Sequence, residues 1–366
     1  MANFSPKKLD AIFNALQTRI VQGVWNVGDQ LPTEEALSKE FECSRGTMGR
    51  VMAQLAREGM VERRTRAGTR VVRQTLTRPA TAIDFDACAF IHPSQQHEGV
   101  WRIASGFQQA AFDAKCRTLM LSTGTDFRKE AEIIGHLAEF DVKGAVLFPV
   151  ILTPADLAYY TQMLLACHFP VVLVEMNIAG MGCPAIVLDG LHAGYTMTKH
   201  LLGQGLKKIG FLANYAWSSI VREKYLGYHQ AMEEAGLGDS ESLVHLDPSM
   251  TPRFNDPLRE PIELAHTYLK SHPGVEGIVC SVDYIALGMI RAAQELGLQV
   301  PGDLKVTGID DFALAHEGPL GVTTYHVPYE TIGRRAFESL NKIIAGHQPL
   351  LTEAQVRGEL VVRQSA

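Results

Sequence analysis

Apolar residues in the first sixty positions recur at helical spacing. A first amphipathic helix is predicted by the stripe of Leu9, Ile12, Phe13, Leu16 and Ile20. A short second helix follows around Leu37 and Phe41. A third helix is predicted by apolar residues at i, i+3, i+4 and i+7, which are Met48, Val51, Met52 and Leu55. The pattern therefore predicts three helices that share one small core.

Helix-ending residues lie between these stripes. Pro32 cannot continue a helix, and Thr33 is a good N-cap for a helix that begins at Glu34. Ser44 is a second N-cap, and Gly59 suits the left-handed position that ends the third helix. Beyond it, 60–64 and 70–73 are predicted to be strands joined by 65–69. The segment therefore has the layout of a helix-turn-helix followed by a β-hairpin wing.

Charge separates this segment from the rest of the chain. Residues 1–74 contain twelve Lys and Arg against eight Asp and Glu, a net charge of +4. The whole chain carries −6, so residues 75–366 carry −10. Between positions 45 and 73 alone, eight arginines accompany two glutamates. A charge run is usually a solvated face, but these arginines occupy the start of the third helix and the wing, which are the parts that would meet a DNA duplex.

The motifs of this segment resemble the DNA-binding domain of GntR-family regulators. They are L-P-T-E-E-A-L (31–37), S-R-G-T-M (44–48), E-G-M-V (58–61) and G-T (68–69). The resemblance implies that Arg45, Thr47 and Arg50 face the major groove, with Thr33 and Ser44 near phosphates. It places the wing tip at 67–69. The DNA-binding residues expected on these grounds are Thr33, Ser44, Arg45, Thr47, Arg50, Arg64, Arg66, Gly68 and Thr69.

One position departs from that family's pattern. Many members carry an arginine directly after the T-V pair, where this chain has Gly49 and the basic residue falls one place later, at Arg50. A shift of one residue rotates a helical side chain by about 100°. Arg50 therefore points in a different direction from the arginine of the family pattern.

The pattern changes after a linker predicted at 75–84, which contains Pro79. The expected domains are 1–74, a winged helix-turn-helix, and 85–366. In the second, continuous Val/Ile/Leu strands alternate with amphipathic helices, which predicts α/β architecture with two doubly wound parallel sheets. The predicted strands are 87–91, 118–122, 145–148, 171–174, 209–213, 277–280, 305–309 and 360–362. The predicted helices contain 103–111, 133–137, 154–167, 191–204, 222–235, 258–271, 284–296 and 329–345.

The second domain resembles the two-lobed effector domain of LacI-type regulators, which is similar to periplasmic sugar-binding proteins. The matching motifs include V-K-G-A-V-L-F-P (142–149), P-V-V-L-V-E (170–175), V-R-E-K-Y-L-G-Y (221–228) and P-G-D-L-K-V-T-G-I-D-D (301–311). The resemblance implies two lobes joined by three chain crossings, which we expect near 206–208, 313–323 and 346–350. A GntR-type head on such a body is the arrangement of the arabinose-repressor-like subgroup.

Candidate ligand-binding residues lie after the carboxyl ends of predicted strands, where ligands bind in doubly wound sheets. Sugars need Asp, Asn or Arg hydrogen bonds and an aromatic plate. The candidates are Gln96, His97, Trp101, Trp217, Arg222, Asp283 and Asp310. Arg222 matches a sugar-contacting arginine of the LacI pattern. The charged candidates could instead cap helices or pair the lobes, and the tryptophans could lie in the core or at a dimer seam. Glu175 stands where the family often has Asp, and a structural role is expected for it.

Composition and motifs exclude several classes of protein. No 18-residue apolar run predicts a membrane span, and the first residues lack a signal-peptide pattern. Six cysteines without C-x-x-C spacing indicate free thiols in a reducing cytoplasm. The nucleophile-elbow, phosphate-loop and H-E-x-x-H motifs are missing from the sequence, so we expect no enzyme activity, no cofactor and no metal. Asp310 and Asp311 could be imagined as a hydrolytic pair, but adjacent residues of an extended segment point to opposite faces.

The sequence therefore predicts a cytoplasmic transcription regulator, favoured to be a repressor. Its expected partners are a double-stranded DNA operator, a small carbohydrate-like effector and a second copy of the chain, with no membrane. Two alternatives stay open. One is a sugar-binding or sugar-processing protein tethered to DNA, and the other is a body that serves only as a dimerisation scaffold.

Overall fold

The 366-residue chain is seen in a computed structural model. It divides into two compact units, Met1–Asp84 and Phe85–Ala366. The described residues are 6–57, 59–64, 68–72, 87–93, 97–123, 133–134, 142–149, 151, 153–167, 169–178, 180–248, 256–316, 320–347 and 351–366. The predicted linker, 75–84, lies outside them.

The first unit has the predicted three helices and hairpin. They are α1 (Pro6–Val21), α2 (Glu34–Glu40), α3 (Arg45–Arg57), β1 (Val61–Arg64) and β2 (Gly68–Val71). The stripes that predicted the helices form its core, in which Leu16, Leu37 and Met48 are almost fully buried. Gly59 has the left-handed φ of 68° that was expected where α3 ends. The helix-turn-helix fold of this unit is confirmed.

The second strand of the wing begins earlier than predicted. β1 pairs with β2 in antiparallel register, with Val61 opposite Val71 and Arg64 opposite Gly68. The sequence placed the second strand at 70–73 because Gly68 and Thr69 look like turn residues. Gly68 does adopt a φ of 80°, but it lies at the start of the paired strand, so β2 begins at Gly68 and not at Arg70.

In the described residues of the second unit, most strands are followed by a helix. Its helices are α4 (Glu98–Asp113), α5 (Pro154–Ala166), α6 (Gly190–Gly203), α7 (Ser219–Glu234), α8 (Arg259–Ser271), α9 (Asp283–Glu295) and α10 (Tyr329–Ile344). Its strands are β3 (Ala87–His92), β4 (Arg117–Ser122), β5 (Gly144–Leu147), β6 (Val171–Val174), β7 (Ala185–Leu188), β8 (Ile209–Ala213), β9 (Val244–Leu246), β10 (Gly277–Cys280), β11 (Lys305–Asp310), β12 (Thr323–His326), β13 (Glu353–Val356) and β14 (Glu359–Val361).

These strands form two six-stranded sheets, one in each lobe. The first lobe has the order β13-β7-β6-β5-β3-β4 and is parallel throughout. The second lobe has the order β14-β12-β11-β10-β8-β9, in which only β14 runs antiparallel to its neighbour. Central strands such as β5, β6 and β8 are buried along their whole length, as parallel strands covered on both faces must be. The predicted α/β fold with two doubly wound lobes is confirmed.

The chain crosses between the lobes at three places, and the predicted positions of all three crossings were wrong. The first crossing is at Asp189, between β7 of the first lobe and α6, which packs on strands of the second lobe. The second is at 327–328, between β12 and α10, and α10 packs on α4 of the first lobe. The third is at 357–358, between β13 and β14. The prediction assigned α6 to the wrong lobe because periodicity shows that a helix is amphipathic but not which sheet it covers, whereas α10 lies in the first lobe as expected. The segments of β12 and β13 lie in the opposite lobes from those that the predicted second and third crossings implied.

Each lobe contains one helix pair that crosses at two glycines. In the first lobe, a Cβ on Gly106 of α4 would overlap the backbone of α10, and one on Gly333 would overlap the backbone of α4. In the second lobe, Gly194 of α6 and Gly227 of α7 stand in the same relation. These four glycines bring the helix backbones together at the side of each sheet, and α7 is thereby fixed close to α6.

Candidate functional site

Two places in the chain carry candidate binding residues, and the first is the α2–α3 pair. Thr33 accepts a hydrogen bond from the Ala36 backbone N–H at 3.2 Å and so caps α2. Ser44 accepts from the Thr47 N–H at 3.1 Å, and the hydroxyls of these two residues are 2.8 Å apart. Both predicted N-caps are present. The positive ends of α2 and α3 can therefore approach phosphates, as helix N-termini do.

Arginines lie on the outer face of α3. Arg45, in its first turn, and Arg50 are both exposed, while Met48, Val51 and Met52 of the same helix are buried. Gly49 lies against α2, where a Cβ would come 3.4 Å from the Glu34 carboxylate. The glycine that replaces the family's arginine therefore faces the neighbouring helix of the motif. Arg45, Thr47 and Arg50 remain the residues of α3 that we expect to meet DNA.

The wing has a close contact at its base. A Cβ on Gly68 would collide with the side chain of Gln30, which forms a bridge with Arg70. This crowding, together with the positive φ of Gly68, explains why glycine stands there. Thr69 is partly exposed beside it. The side chain of Arg64 and all of Arg66 lie outside the described residues, so their predicted contacts stay predictions.

The second place is the cleft between the lobes, at the carboxyl ends of the strands. Among the described residues six non-glycine residues have positive φ, and four of them lie at these strand ends. Glu175 follows β6 with φ 65°, Tyr215 follows β8 with φ 51°, and Asp310 and Asp311 end β11 with φ 138° and 63°. Such conformations cost free energy and cluster at ligand-binding sites.

Unpaired polar atoms gather at the same strand ends. Seven buried side-chain polar atoms have no hydrogen-bond partner in the described part of the chain. Five of them lie at or after carboxyl ends of strands: His92 Nδ1, His97 Nδ1, Glu175 Oε1, Trp217 Nε1 and Ser281 Oγ. Buried polar atoms are normally paired, so such a concentration favours a site whose ligand supplies the partners. The set mixes donors with acceptors, which suits hydroxyl groups because these do both.

One ammonium and two carboxyls form the charged centre of the cleft. Lys224 of α7 is 4% exposed, and its Nζ donates to the Ser281 carbonyl oxygen at 2.8 Å. Burial raises the pKa of Glu175, from the first lobe, to about 7, although the charge of Lys224 acts against this rise. Burial also raises the pKa of Asp310, from the second lobe, to about 6, again opposed by Lys224. Lys224 therefore acts on carboxyls of both lobes.

The two predicted aspartates are both engaged by the protein. Asp310 accepts a hydrogen bond from the Tyr329 hydroxyl at 2.8 Å. Asp283 accepts from the Thr324 hydroxyl at 2.6 Å and from the Phe312 N–H at 2.9 Å, so each of its oxygens has a partner. Burial, followed by the charge of Asp310, raises the pKa of Asp283 to about 7. Asp283 thus holds the loop after β11 in place, which is a structural role.

Aromatic side chains line the cleft near these carboxyls. Phe312 stacks on Tyr329 with ring centroids 5.9 Å apart and meets the His97 ring edge-on at 5.4 Å. Burial lowers the pKa of His97 to about 4, so this ring is neutral at physiological pH. Trp217 leaves a loop of the second lobe and packs against the core of the first lobe. His97 and Trp217 are therefore placed where the sequence expected ligand contacts.

Two other predicted residues lie differently. Trp101 is 52% exposed on α4, so it does not belong to the buried set. Arg222 is exposed on α7, two residues before Lys224, and no side-chain bond of its guanidinium occurs among the described residues. Lys224 instead shares the buried side of the helix with Val221 and Tyr228. Gln96 lies outside the described residues.

The sequence contains a signal for the burial of Lys224. Val221, Lys224 and Tyr228 have the i, i+3, i+7 spacing of one helix face, so a lysine occupied the apolar stripe of a predicted helix. Lysine is almost never fully buried unless it is paired. Glu175 was expected to be structural, yet its Oε1 is one of the unpaired atoms. Both residues therefore join the candidate ligand contacts.

Contacts across the cleft also come from the start of α4. Arg102, 7% exposed, pairs with Glu330 at 2.8 Å and donates to the carbonyl oxygen of Val327 in the second crossing. Glu98 accepts from the Ala313 N–H of the second lobe at 2.8 Å. The first turns of α4 thereby connect the first lobe, a crossing and the second lobe.

Known proteins share both parts of this chain. Residues 8–71 match the family model of bacterial regulatory proteins of the gntR family, and residues 198–366 match that of a periplasmic binding protein-like domain. The arabinose metabolism transcriptional repressor of Geobacillus stearothermophilus is 24% identical over 353 residues, covering 94% of each chain.

Solved structures share the fold. A cellobiose complex of the transcriptional regulator CelR aligns with all of both chains at a TM-score of 0.67 and 20% identity. A lac repressor dimer bound to operator and an anti-inducer covers 78% of this chain and 95% of its own, with a TM-score of 0.65 and 16% identity. Among the described residues, no helix combines the length and the apolar character that crossing a membrane requires.

Proposed function

Because the chain joins a DNA-binding domain of the bacterial gntR regulatory family to a periplasmic binding protein-like domain, we propose that it is an effector-controlled transcriptional repressor. The observation that carries this proposal is the pairing of an exposed arginine face on α3 with a cleft of unpaired buried polar atoms. The first feature suits a DNA duplex and the second suits a small hydroxyl-rich molecule. We propose that the domains are 1–74 and 85–366, joined by a linker at 75–84.

The DNA-binding half acts through α3 and the wing. Arg45, Thr47 and Arg50 read base edges in the major groove, and the N-termini of α2 and α3 hold phosphates through Thr33 and Ser44. Arg64, Arg66, Gly68 and Thr69 form the wing contact. The protein acts as a homodimer in the cytoplasm, and each head takes half of a near-palindromic operator. We propose binding without turnover, so no reaction is assigned to the cleft.

The effector is a small carbohydrate-like molecule bound between the lobes. Lys224 and Asp310 contact it from the second lobe, Glu175 and His97 from the first, and Trp217 covers it. We favour Lys224 over Arg222 because an exposed arginine gains little from a ligand that the cleft encloses. Closing the lobes on the effector changes the spacing of the two heads, and operator affinity falls.

Calorimetry with a panel of sugars tests the effector half of the proposal. Lys224→Met removes the ammonium and keeps the apolar stem, and Arg222→Ala is the matched control on the same helix. We expect the control to bind a sugar as the wild type does, and Lys224→Met to lose at least about tenfold in affinity, since a charged hydrogen bond contributes about 1.5–3 kcal/mol. Equal affinity in all three proteins would remove Lys224 from the site. A loss of sugar affinity only in Arg222→Ala would show that Arg222, and not Lys224, contacts the sugar.

A further inference from the structure

We propose that the effector carries no negative charge, and that Glu175 is the residue that rejects phosphorylated and carboxylated forms of it. This inference rests on the proposed function, because it concerns the same cleft. It specifies the chemical class of the ligand as an uncharged, hydroxyl-rich molecule. Phosphate esters of sugars, sugar acids and nucleotides are thereby excluded.

Negative and positive groups are unequal in number around the cleft. Among the described residues of the charged centre and its neighbour, three carboxyls, those of Glu175, Asp283 and Asp310, accompany the single ammonium of Lys224. Lys224 Nζ already donates to the Ser281 carbonyl oxygen at 2.8 Å, and its charge is shared between Glu175 and Asp310. An anion that entered would therefore add negative charge to a centre that already has a surplus of it.

Two groups near the cleft are of the kinds that bind anions in other proteins. Arginine forks and helix N-termini are the usual holders of phosphate and carboxylate. Arg102 is taken by Glu330, to which both its Nε and one terminal nitrogen donate, at 2.8 and 3.2 Å. The N-terminus of α9 is taken by the protein itself, since the Asp283 N–H donates to the Asp310 carboxyl. The protein's own carboxyls thus occupy Arg102 and the N-terminus of α9.

Glu175 differs from the other two carboxyls in its hydrogen bonding. Asp283 has a hydrogen-bond donor on each oxygen, and Asp310 accepts from the Tyr329 hydroxyl and from a backbone N–H. Glu175 alone of the three keeps a buried oxygen, Oε1, without a partner, and its backbone is held at φ 65°. Only a donor can satisfy this oxygen while the group is ionised, so a ligand O–H or N–H fits and an anionic oxygen is repelled.

Two further buried groups, on Ser281 and Trp217, indicate what else the ligand must provide. Ser281 is fully buried with an unpaired hydroxyl, and its own carbonyl oxygen holds Lys224 in the charged centre. Trp217 Nε1 is a buried donor without an acceptor. A molecule that donates to Glu175 and accepts from Trp217 has hydroxyl groups on more than one side. This requirement suits a neutral polyol and makes a single anionic group insufficient.

The test uses matched ligand pairs on the full-length protein. Affinities for neutral mono- and disaccharides are measured by calorimetry at pH 9, where Glu175, whose pKa burial raises to about 7, is almost fully ionised, beside those for their phosphate esters and uronic acids. We expect at least one neutral sugar to bind and its anionic partner to bind about 100-fold more weakly or not at all, since like-charge contacts are strongly unfavourable. Tighter binding of the anionic member of a pair would overturn the inference while leaving the proposed function standing. If neither kind bound, the proposed function would fail together with it.

Glu175→Gln tests the role of the residue itself. Glutamine keeps an acceptor oxygen and removes the charge, so the neutral sugar should bind within about tenfold of wild type while discrimination against the anion narrows to below about tenfold. Glu338→Gln, on an exposed turn of α10, is the control and should keep full discrimination. If Glu175→Gln weakened both members of the pair equally, Glu175 would not be the determinant.

Discussion

Arg357 Nε lies 2.7 Å from Asp189 Oδ2, and this ion pair joins two of the three crossings between the lobes. Asp189 is 5% exposed and also caps α6, because its Oδ1 accepts from the His192 N–H at 2.9 Å. Next to Arg357, the Gly358 N–H donates to the hydroxyl of Tyr325, a residue of β12 just before the remaining crossing. The three crossings are therefore linked by side chains that lie outside the charged centre of the cleft.

Removing the ion pair between Arg357 and Asp189 should change the response to the effector without removing a proposed ligand contact. Arg357→Ala frees Asp189 from one of its two partners, so the balance between lobe arrangements shifts. We expect the effector concentration that half-releases operator to move by about two- to thirtyfold, which corresponds to the range of about 0.5–2 kcal/mol for changes within a coupled network. Fluorescence anisotropy with labelled operator measures it. Arg334→Ala, an exposed arginine on α10, should leave the midpoint in place, and an equal shift in both variants would contradict a hinge role.

DNA recognition should depend on Arg45. A bidentate arginine contact to a guanine gives about 1–3 kcal/mol of discrimination, so Arg45→Ala should lower affinity for the operator more than affinity for unrelated DNA. Binding to both duplexes is measured at two salt concentrations, because phosphate contacts make the affinity fall with salt. Arg291→Ala, exposed in the other unit, is the control. Unchanged discrimination by Arg45→Ala would remove it from base recognition.

Stability should report the buried carboxyl of Glu175. Burial raises its pKa from 4.5 to about 7, so the folded protein holds this proton more tightly than the unfolded chain. Its contribution is complete below pH 4.5 and is lost as pH rises through about 7. Glutamine does not ionise, so Glu175→Gln keeps this stabilisation at high pH. Its free energy of unfolding should exceed that of wild type by about 1–3 kcal/mol at pH 8.5 and differ little from it at pH 4.5. Urea unfolding at both values checks this, and a variant less stable than wild type at pH 8.5 would show that Glu175 has a structural role.

Close helix packing should make Gly194 intolerant of a side chain. A methyl group there would overlap the backbone of α7 near Lys224, so Gly194→Ala should cost about 1–3 kcal/mol in the free energy of unfolding. Gly203→Ala, in the same helix, meets nothing within 4 Å and should be neutral or slightly stabilising. Denaturant titration of both variants separates crowding from helix propensity. Similar effects at both positions would argue against the close contact.

The sequence predicted the regular parts of this fold well. The helical stripes of the first unit and the Val/Ile strands of the second follow from local periodicity, and β6, β8 and β10 begin and end where predicted. It missed β7, β9, β12 and β13, of which β7 is a buried apolar strand of four residues. β9 and β13 are short edge strands without an apolar run. β12 begins with two buried threonines, Thr323 and Thr324, which form hydrogen bonds with other polar groups, so it shows no apolar pattern.

The functional residues were harder to find because they depend on contacts between distant segments. Asp283 looked like a ligand contact, but its partners Phe312 and Thr324 come from later strands and loops. Glu175 looked structural, and only its unpaired oxygen indicates otherwise. Periodicity could have separated Lys224 from Arg222, since it assigns each to a helix face. Burial and pairing across the lobes required the structure.

In the proposed mechanism, a ligand in the cleft controls DNA binding by the heads. Duplexes selected from a random pool by the purified protein give an operator, and its affinity is then measured with and without the neutral sugar found by calorimetry. We expect a near-palindromic sequence whose affinity falls at least about tenfold with sugar in the wild type and stays unchanged in Lys224→Met. Selection of no sequence, or equal release from both proteins, would contradict the account.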